Sequence, residues 1–206
     1  MEAIYNFDHA VFQFVQKYIW NESILHPIMK VITTLGDGGT IWIIIALILL
    51  FTKKYRKYGF MMAAGLIITL VVNDNILKPL IARPRPFDFE GWTDFIYPEI
   101  IKRPDGFSFP SGHTTSSFLS TVPLLKANKK FGIPALVLAA LIAFSRVYVF
   151  VHYPTDILGG IVMGFIYGLL GCLIVDQIYK AIERRKMKKR MESKTEEATE
   201  ETTVNA

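Results

Sequence analysis

Three short stretches of the chain concentrate the side chains able to do chemistry. Residues 78–86 read Lys-Pro-Leu-Ile-Ala-Arg-Pro-Arg-Pro, residues 110–113 read Pro-Ser-Gly-His, and Ser145-Arg146 is followed by His152 and Asp156. Lys78, Arg85 and Arg146 converging on one face would make a site for a tetrahedral anion, because Arg offers fork-like donors and Lys a point charge. A helix starting after Ser111 would aim free backbone N–H groups and its positive dipole end at the same anion. Gly112, with no Cβ, lets the backbone come close. His152 and Asp156 are four apart. If a helical turn begins near Pro154, a favoured first-turn residue, the carboxylate reaches the imidazole, fixes its tautomer and leaves the other ring nitrogen as a nucleophile. His113 is then available as general acid for a leaving alkoxide. His9 and His26 complete the four histidines and are expected in surface or packing roles. Taken singly, Lys78, Arg83 and Arg85 also suit interfacial anchoring. Arg146 interrupts an apolar run, and an ionisable group there points to function.

The elements that must position these groups are strongly apolar. The chain has 206 residues, of which 51% are hydrophobic and 20% charged, with a mean hydropathy of +0.33. Disorder over the whole length is excluded. The net charge of +5 would fit a nucleic-acid partner, but Arg184, Arg185, Lys186, Lys188, Lys189 and Arg190 supply all of the excess. The single cysteine, Cys172, precludes an intramolecular disulfide and a cysteine-based zinc site. The N-terminal residues lack the basic region of a signal peptide, so the first spans would direct insertion.

The sequence predicts an all-α polytopic membrane protein with six transmembrane helices, over 23–35, 38–52, 58–73, 112–125, 131–145 with apolar character resuming after Arg146, and 157–175. An isolated span needs about 20 residues, and the shorter runs recruit their flanks. The run 112–125 carries several hydroxyls and is expected to be buried among other helices. Glycines in 157–171 allow close helix packing. Residues 5–20 form an additional amphipathic helix that lies on the membrane or crosses it. The membrane-embedded domain is placed at 1–182, and 183–206 is expected to be a basic, then acidic, disordered tail.

Basic residues set the orientation. Fifteen of the 23 fall in 53–57, 126–130 and 180–194, which makes that side cytoplasmic, with both termini inside and the connections 74–111 and 146–156 outside. The run 184–190 serves as a topology anchor or binds anionic lipid. The connection 87–109 mixes Phe87, Phe89, Trp92, Phe95 and Tyr97 with acids such as Asp88, Glu90 and Asp94. It is expected either to cover the site and admit lipid headgroups or to be an ordinary packed loop.

Together the three stretches resemble the signature of the type 2 phosphatidic acid phosphatase family, Lys-x6-Arg-Pro, Pro-Ser-Gly-His and Ser-Arg-x5-His-x3-Asp. Lys78 with Arg85 and Pro86, residues 110–113, and Ser145, Arg146, His152 and Asp156 occupy every position. The likeness covers about residues 58–175 and is to the short bacterial phosphatidylglycerophosphatase B type. The resemblance implies a phosphatase without metal or other cofactor. His152 would become phosphohistidine, Asp156 would orient it, and His113 would protonate the departing oxygen. Lys78, Arg85 and Arg146, with Ser111 and the Gly112 backbone, would hold the phosphoryl oxygens until water releases phosphate. Arg83 lies outside the signature and is given a supporting role. The partner is then a membrane lipid phosphate and not nucleic acid. Phosphatidylglycerol phosphate is the first expectation and undecaprenyl diphosphate the second. A lipid phosphotransferase is a further alternative, as is a non-enzymatic transporter or scaffold, against which the His-x-x-x-Asp pair beside Pro-Ser-Gly-His argues. The location implied is the bacterial plasma membrane, with the site on the extracytoplasmic face and the C-terminus cytoplasmic. Nothing in the sequence specifies an oligomeric state.

Overall fold

The computed structural model describes residues 2–92 and 95–204, with side chains through Ser193. Among the described residues every regular element is helical: α1 (Glu2–Phe14), α2 (Leu25–Leu35), α3 (Thr40–Phe51), α4 (Arg56–Ile68), α5 (Lys78–Ile81), α6 (Gly112–Ala127), α7 (Lys129–Tyr148) and α8 (Pro154–Val204). Wider π-helical turns continue α1 through Ile19 and join α4 to α5 over Thr69–Leu77.

Helix α6 is the centre of the bundle, packed against α7, α8 and α4. Its hydroxyl-rich sequence suits that place, since residues Thr114 to Thr121 are all buried and find partners inside the protein. Thr115 Oγ1 donates to Ser111 O at 2.9 Å, Ser120 Oγ to Ser116 O at 2.8 Å, and Ser117 Oγ accepts from Trp42 Nε1 at 2.9 Å. Helix α8 approaches α6 along Gly160, Gly164 and Gly168. A Cβ on Gly164 would stand 2.8 Å from Phe118 Cβ and 2.9 Å from Thr115 O, and one on Gly168 would stand 2.7 Å from Leu119 O. These small residues let two backbones meet, the usual device where lipid gives no hydrophobic drive for helix association. At the far end, Asp176 of α8 accepts from Lys57 of α4 at 2.6 Å and from Lys126 of α6, tying three helices together. Gly164→Ala is expected to force α6 and α8 apart and to destabilise the protein by about 1–3 kcal/mol. Thermal unfolding in detergent checks this, and an unchanged midpoint would mean that the helices have room to part.

Three helical runs are long and apolar enough to cross a bilayer, Arg56–Asp88, Lys129–Tyr148 and Pro154–Ser193. The pair Leu25–Leu35 and Asp37–Phe51, bent by 45°, makes a fourth as one broken span. Over 23–52, where two separate spans are expected, the two helices form this one bent pair, so the described residues show three to four candidate spans beside the expected six. The chain turns through Gly38 (φ 59°) and Gly39 (φ 70°), left-handed conformations that glycine adopts without strain, and the bend is too shallow for a hairpin. Contacts place α1 and its π extension along the connection after α5, where Trp92 packs tilted on Tyr5 and edge-to-face on Phe12 and Gln16 Nε2 donates to Ile96 O at 2.8 Å, and beside the end of α7, where the Asn21 N–H donates to Tyr148 Oη. Helix α8 begins at that end and leaves it over 51 residues, a length of about 75 Å at 1.5 Å per residue. Where a disordered tail is expected over 183–206, α8 keeps helical backbone to Val204. Oppositely charged side chains four apart, as in Lys188 and Glu192 at 3.7 Å, support a solvated helix. Residues 205 and 206, the side chains of 194–204, and Asp94 of the 87–109 connection lie outside the described residues.

Candidate active site

The sequence brings charged groups to one end of the bundle by four routes. The π turns after α4 carry Asp74 and deliver Lys78 at the start of α5. The extended residue Arg85 (φ −79°, ψ 158°) follows between two prolines. Helix α6 starts at Gly112, and the last turn of α7 carries Arg146. Lys78, Arg85, Gly112, His113, Arg146 and His152 line one cavity of about 620 Å³. Asp156 stands behind His152, outside that lining. Ser111 is outside it as well. Its Oγ is engaged as the N-cap of α6, accepting from the Thr114 N–H at 3.4 Å and Oγ1 at 3.0 Å, so its geometry is that of a helix cap.

Arg85 is almost entirely buried and held from three sides. Its Nε donates to Gly106 O at 2.9 Å, and its terminal nitrogens to Asp105 O at 3.1 Å and Val151 O at 3.0 Å. The connection 87–109 thus fixes Arg85 through two carbonyls. Its aromatic part packs on α1 rather than across the cavity, and of its described residues Pro104 alone reaches the lining. Arg103 lies over the rings of Tyr97 and Phe87 at 4.9 and 5.2 Å. Lys78 Nζ donates to Asp74 Oδ1 at 2.7 Å, and a Cβ on Gly112 would lie 3.5 Å from that ammonium. Arg146, 3% exposed, donates to Thr33 Oγ1 on α2 and keeps its Nε without a partner. A buried guanidinium with a free donor beside a cavity is arranged to take an anion.

His152 occupies the buried turn between α7 and α8. Its Nδ1 lies 3.4 Å from Asp156 Oδ2, and its Nε2 lies 3.4 Å from the Arg85 guanidinium. With the carboxylate on one side and a cation on the other, the proton belongs on Nδ1 and the lone pair on Nε2 faces the cavity. Burial, reinforced by the Arg146 and Arg85 cations, holds His152 well below the ordinary imidazole range, so the ring is neutral at pH 7. Asp156 Oδ2 also accepts from the Tyr153 N–H at 3.0 Å, and Oδ1 accepts from Arg83 at 2.6 Å.

Several contributors were not legible in the spacing. Asp37, in the bend between α2 and α3, places Oδ1 at 2.8 Å from His113 Nε2. Thr33, Asp74 and Asp8 pair with Arg146, Lys78 and Arg83. Only Asp74 had a local signal, an acid four residues before Lys78 at helical spacing. His9 and His26 sit in aromatic packing, His9 against Phe95 at 4.9 Å and His26 against Tyr148 at 5.7 Å between ring centroids.

From its cationic end the cavity extends between α3 and α4 along Ile43, Ala46, Leu47 and Leu50 on one side and Ala63, Leu66 and Leu70 on the other. The eleven helical steps from Gly39 to Leu50 correspond to about 16 Å. The cavity is a slot for an apolar chain that ends in a pocket for an anion. Apolar helices around a cationic, imidazole-bearing pocket are the build of a membrane phosphatase.

Comparison with known proteins gives that class its family. Residues 54–180 match the model of the PAP2 superfamily. An undecaprenyl-diphosphatase of Sulfolobus acidocaldarius is 34% identical over 125 residues, 60% of this chain and 58% of the relative's length. Phosphatidylglycerophosphatase B of Bacillus subtilis is 32% identical over 176 residues, 78% of each chain. The crystal structure of the transmembrane PAP2-type phosphatidylglycerolphosphate phosphatase from Bacillus subtilis superposes with a TM-score of 0.68 at 28% identity, over 86% of this chain and 89% of that one. The chain belongs to the PAP2 superfamily, and it is a phosphatase of the membrane type.

Proposed function

We propose that this protein removes the terminal phosphate of phosphatidylglycerol phosphate, giving phosphatidylglycerol, through a phosphohistidine intermediate. The observation that carries the reading is the junction of an apolar slot with a three-cation pocket, because a lipid phosphate needs both. Lys78, Arg85 and Arg146 hold the phosphoryl oxygens, with the Gly112 backbone at the helix N-terminus. Ser111 contributes by capping that helix. His152 Nε2 attacks phosphorus, the P–O bond to the lipid breaks, and His113 gives its proton to the departing oxygen. Water then attacks the phosphohistidine and loses a proton to His113. The P–N electron pair returns to His152, and phosphate leaves. The donors aimed at the equatorial oxygens supply the largest part of the catalysis. The three cations take the charge-neutralising role a metal ion plays elsewhere, so activity should withstand EDTA.

A second reading, undecaprenyl diphosphate as substrate, is favoured by the Sulfolobus relative. Either chain would use the slot. Each buried CH₂ contributes about 0.8 kcal/mol, so kcat/KM should exceed that for glycerol phosphate by at least about 100-fold. Phosphate release from the two lipids and glycerol phosphate, measured side by side on the purified protein, tests both readings. Equal rates on lipid and soluble esters would remove the role of the slot. A strong preference for the diphosphate would replace the first substrate by the second.

The charge distribution supports a site on the extracytoplasmic face and a cytoplasmic C-terminus. Five crossings follow in place of six, by the bent pair α2–α3, α4, α6, α7 and α8, with α1 on the outer surface. The catalytic domain is 1–182, and 183–206 is an appended charged segment.

A further inference from the structure

Asp156 is served by a second ion pair that reaches the site from the N-terminal helix. Arg83 lies just before the signature arginine and faces away from the cavity. One of its terminal nitrogens donates to Asp156 Oδ1 at 2.6 Å and to Thr155 Oγ1 at 2.8 Å, and the other donates to Asp8 Oδ2 at 2.7 Å. Its guanidinium stacks on the Tyr153 ring at 3.7 Å. Asp8 comes from α1, is fully buried, and accepts in addition from the Thr155 N–H at 2.8 Å and the Thr155 hydroxyl at 2.7 Å.

We propose that Arg83 and Asp8 are positioning residues that lock the Asp156 carboxylate so that only its Oδ2 serves His152. This rests on the reading of His152 as nucleophile. The two Asp156 oxygens have separate duties. Oδ1 is taken by Arg83, while Oδ2 faces His152 Nδ1 and the Tyr153 N–H. Without Arg83 the carboxylate keeps the Tyr153 N–H and Ser108 but loses the ion pair that fixes Oδ1, and the Nδ1 contact, already 3.4 Å, is the one most easily lengthened. A planar guanidinium is needed because it must donate to two carboxylates on different helices at once, a geometry that a lysine point charge does not reproduce. Asp8 holds the half-buried guanidinium on Tyr153 and balances its charge, and the fully buried Asp8 carboxylate would itself be left uncompensated without Arg83. Arg83 is absent from the lining of the phosphate cavity and forms part of the wall of a separate apolar groove beside Tyr5, Trp92 and Tyr153. Its influence on the reaction therefore runs through Asp156 and not through the phosphoryl oxygens. Helix α1, outside the family-matched residues 54–180, becomes part of the catalytic apparatus by this route.

The test uses the full chain in detergent, with Arg83→Gln, Arg83→Lys, the isosteric Asp8→Asn and the double variant Asp8→Asn/Arg83→Gln. Misplacing a reacting group by an ångström lowers rate by about 100-fold. The expected result is a fall in kcat of about 10- to 100-fold for Arg83→Gln, a smaller fall for Arg83→Lys and Asp8→Asn, and a double variant no slower than Arg83→Gln alone. Inhibition by inorganic phosphate, which reads the cavity cations, should stay within about twofold of the parent. Rates are referred to the fraction of folded enzyme. If Arg83→Gln does not fold, Asp8→Asn carries the test with its smaller fall in kcat and its phosphate inhibition retained. Unchanged kcat in the folded variants overturns the proposal. So does a loss of phosphate inhibition in step with kcat, which would put Arg83 on the phosphoryl group. His152→Ala is run in parallel: its retained activity would sink the nucleophile reading itself, whereas its inactivity beside fully active Arg83 and Asp8 variants sinks only the positioning role.

Discussion

His152→Ala is expected to lower phosphate release by about four orders of magnitude, the scale seen when an enzymatic nucleophile is deleted and only binding and electrostatic stabilisation remain. The size follows from how completely the site is organised around one nitrogen. The imidazole is buried, its Nδ1 faces Asp156, and its Nε2 stands beside Arg85 and the cavity. No other neutral nucleophile of comparable strength lines that cavity, since His113 is engaged with Asp37. Substrate labelled in its phosphoryl group should leave acid-labile label on the parent protein after rapid quenching in base and none on His152→Ala. Label retained by the variant would move the nucleophile elsewhere. The low pKa gives a second signature. A lowered value keeps the ring neutral to lower pH, so formation of the phosphoenzyme should not fail at the ordinary imidazole value of about 6.5. A loss of phosphoenzyme formation centred there would mean that the free enzyme titrates as an exposed histidine does.

The contrast between what the spacing reveals and what it hides has a physical basis. Signature residues are legible because each lies within a short segment whose local geometry is almost settled. His152 and Asp156 face each other across one turn, and Ser111 to His113 start a helix. The partners Asp37, Thr33 and Asp8 are brought in across 76, 113 and 75 residues of chain, and nothing in their own neighbourhoods marks them. Asp8 looks like the polar face of an amphipathic helix, yet it is fully buried because Arg83 waits for it. The same difference separates the fold's two halves. Helices α7 and α8 are apolar enough to be read directly. Helix α6 is recognisable only through the expectation that its hydroxyls are covered by neighbours. The break between α2 and α3 escapes because Asp37-Gly-Gly fits a loop between two spans as well as a bend within one. Tertiary contacts such as those of Asp37 with His113, and of Trp42 with Ser117, hold the bend in place.

His113→Ala should slow turnover of a lipid ester by about 10²- to 10⁴-fold, the range for a positioned general acid, and the loss should depend on the leaving group. An alkoxide of phosphatidylglycerol has a conjugate acid near that of water, about 15.7, and cannot depart unprotonated at a useful rate. A departing phosphate monoester, as from a lipid diphosphate, has a second pKa of about 6 and needs far less help. Phosphoenzyme formation in the variant should therefore slow much more with phosphatidylglycerol phosphate than with undecaprenyl diphosphate. With a nitrophenyl phosphate the first step needs no proton at all. The second step still does, because His113 must then take the proton of the attacking water. The variant should release one equivalent of nitrophenol in a burst and then turn over slowly, with phosphohistidine accumulating. Asp37→Asn, which keeps the imidazole but weakens its anchor at Nε2, should show the same pattern with a smaller amplitude. A His113→Ala variant that is slow on every substrate to the same degree, with no burst, would place this histidine in binding the phosphoryl group, and the proton for the lipid would have to come from elsewhere.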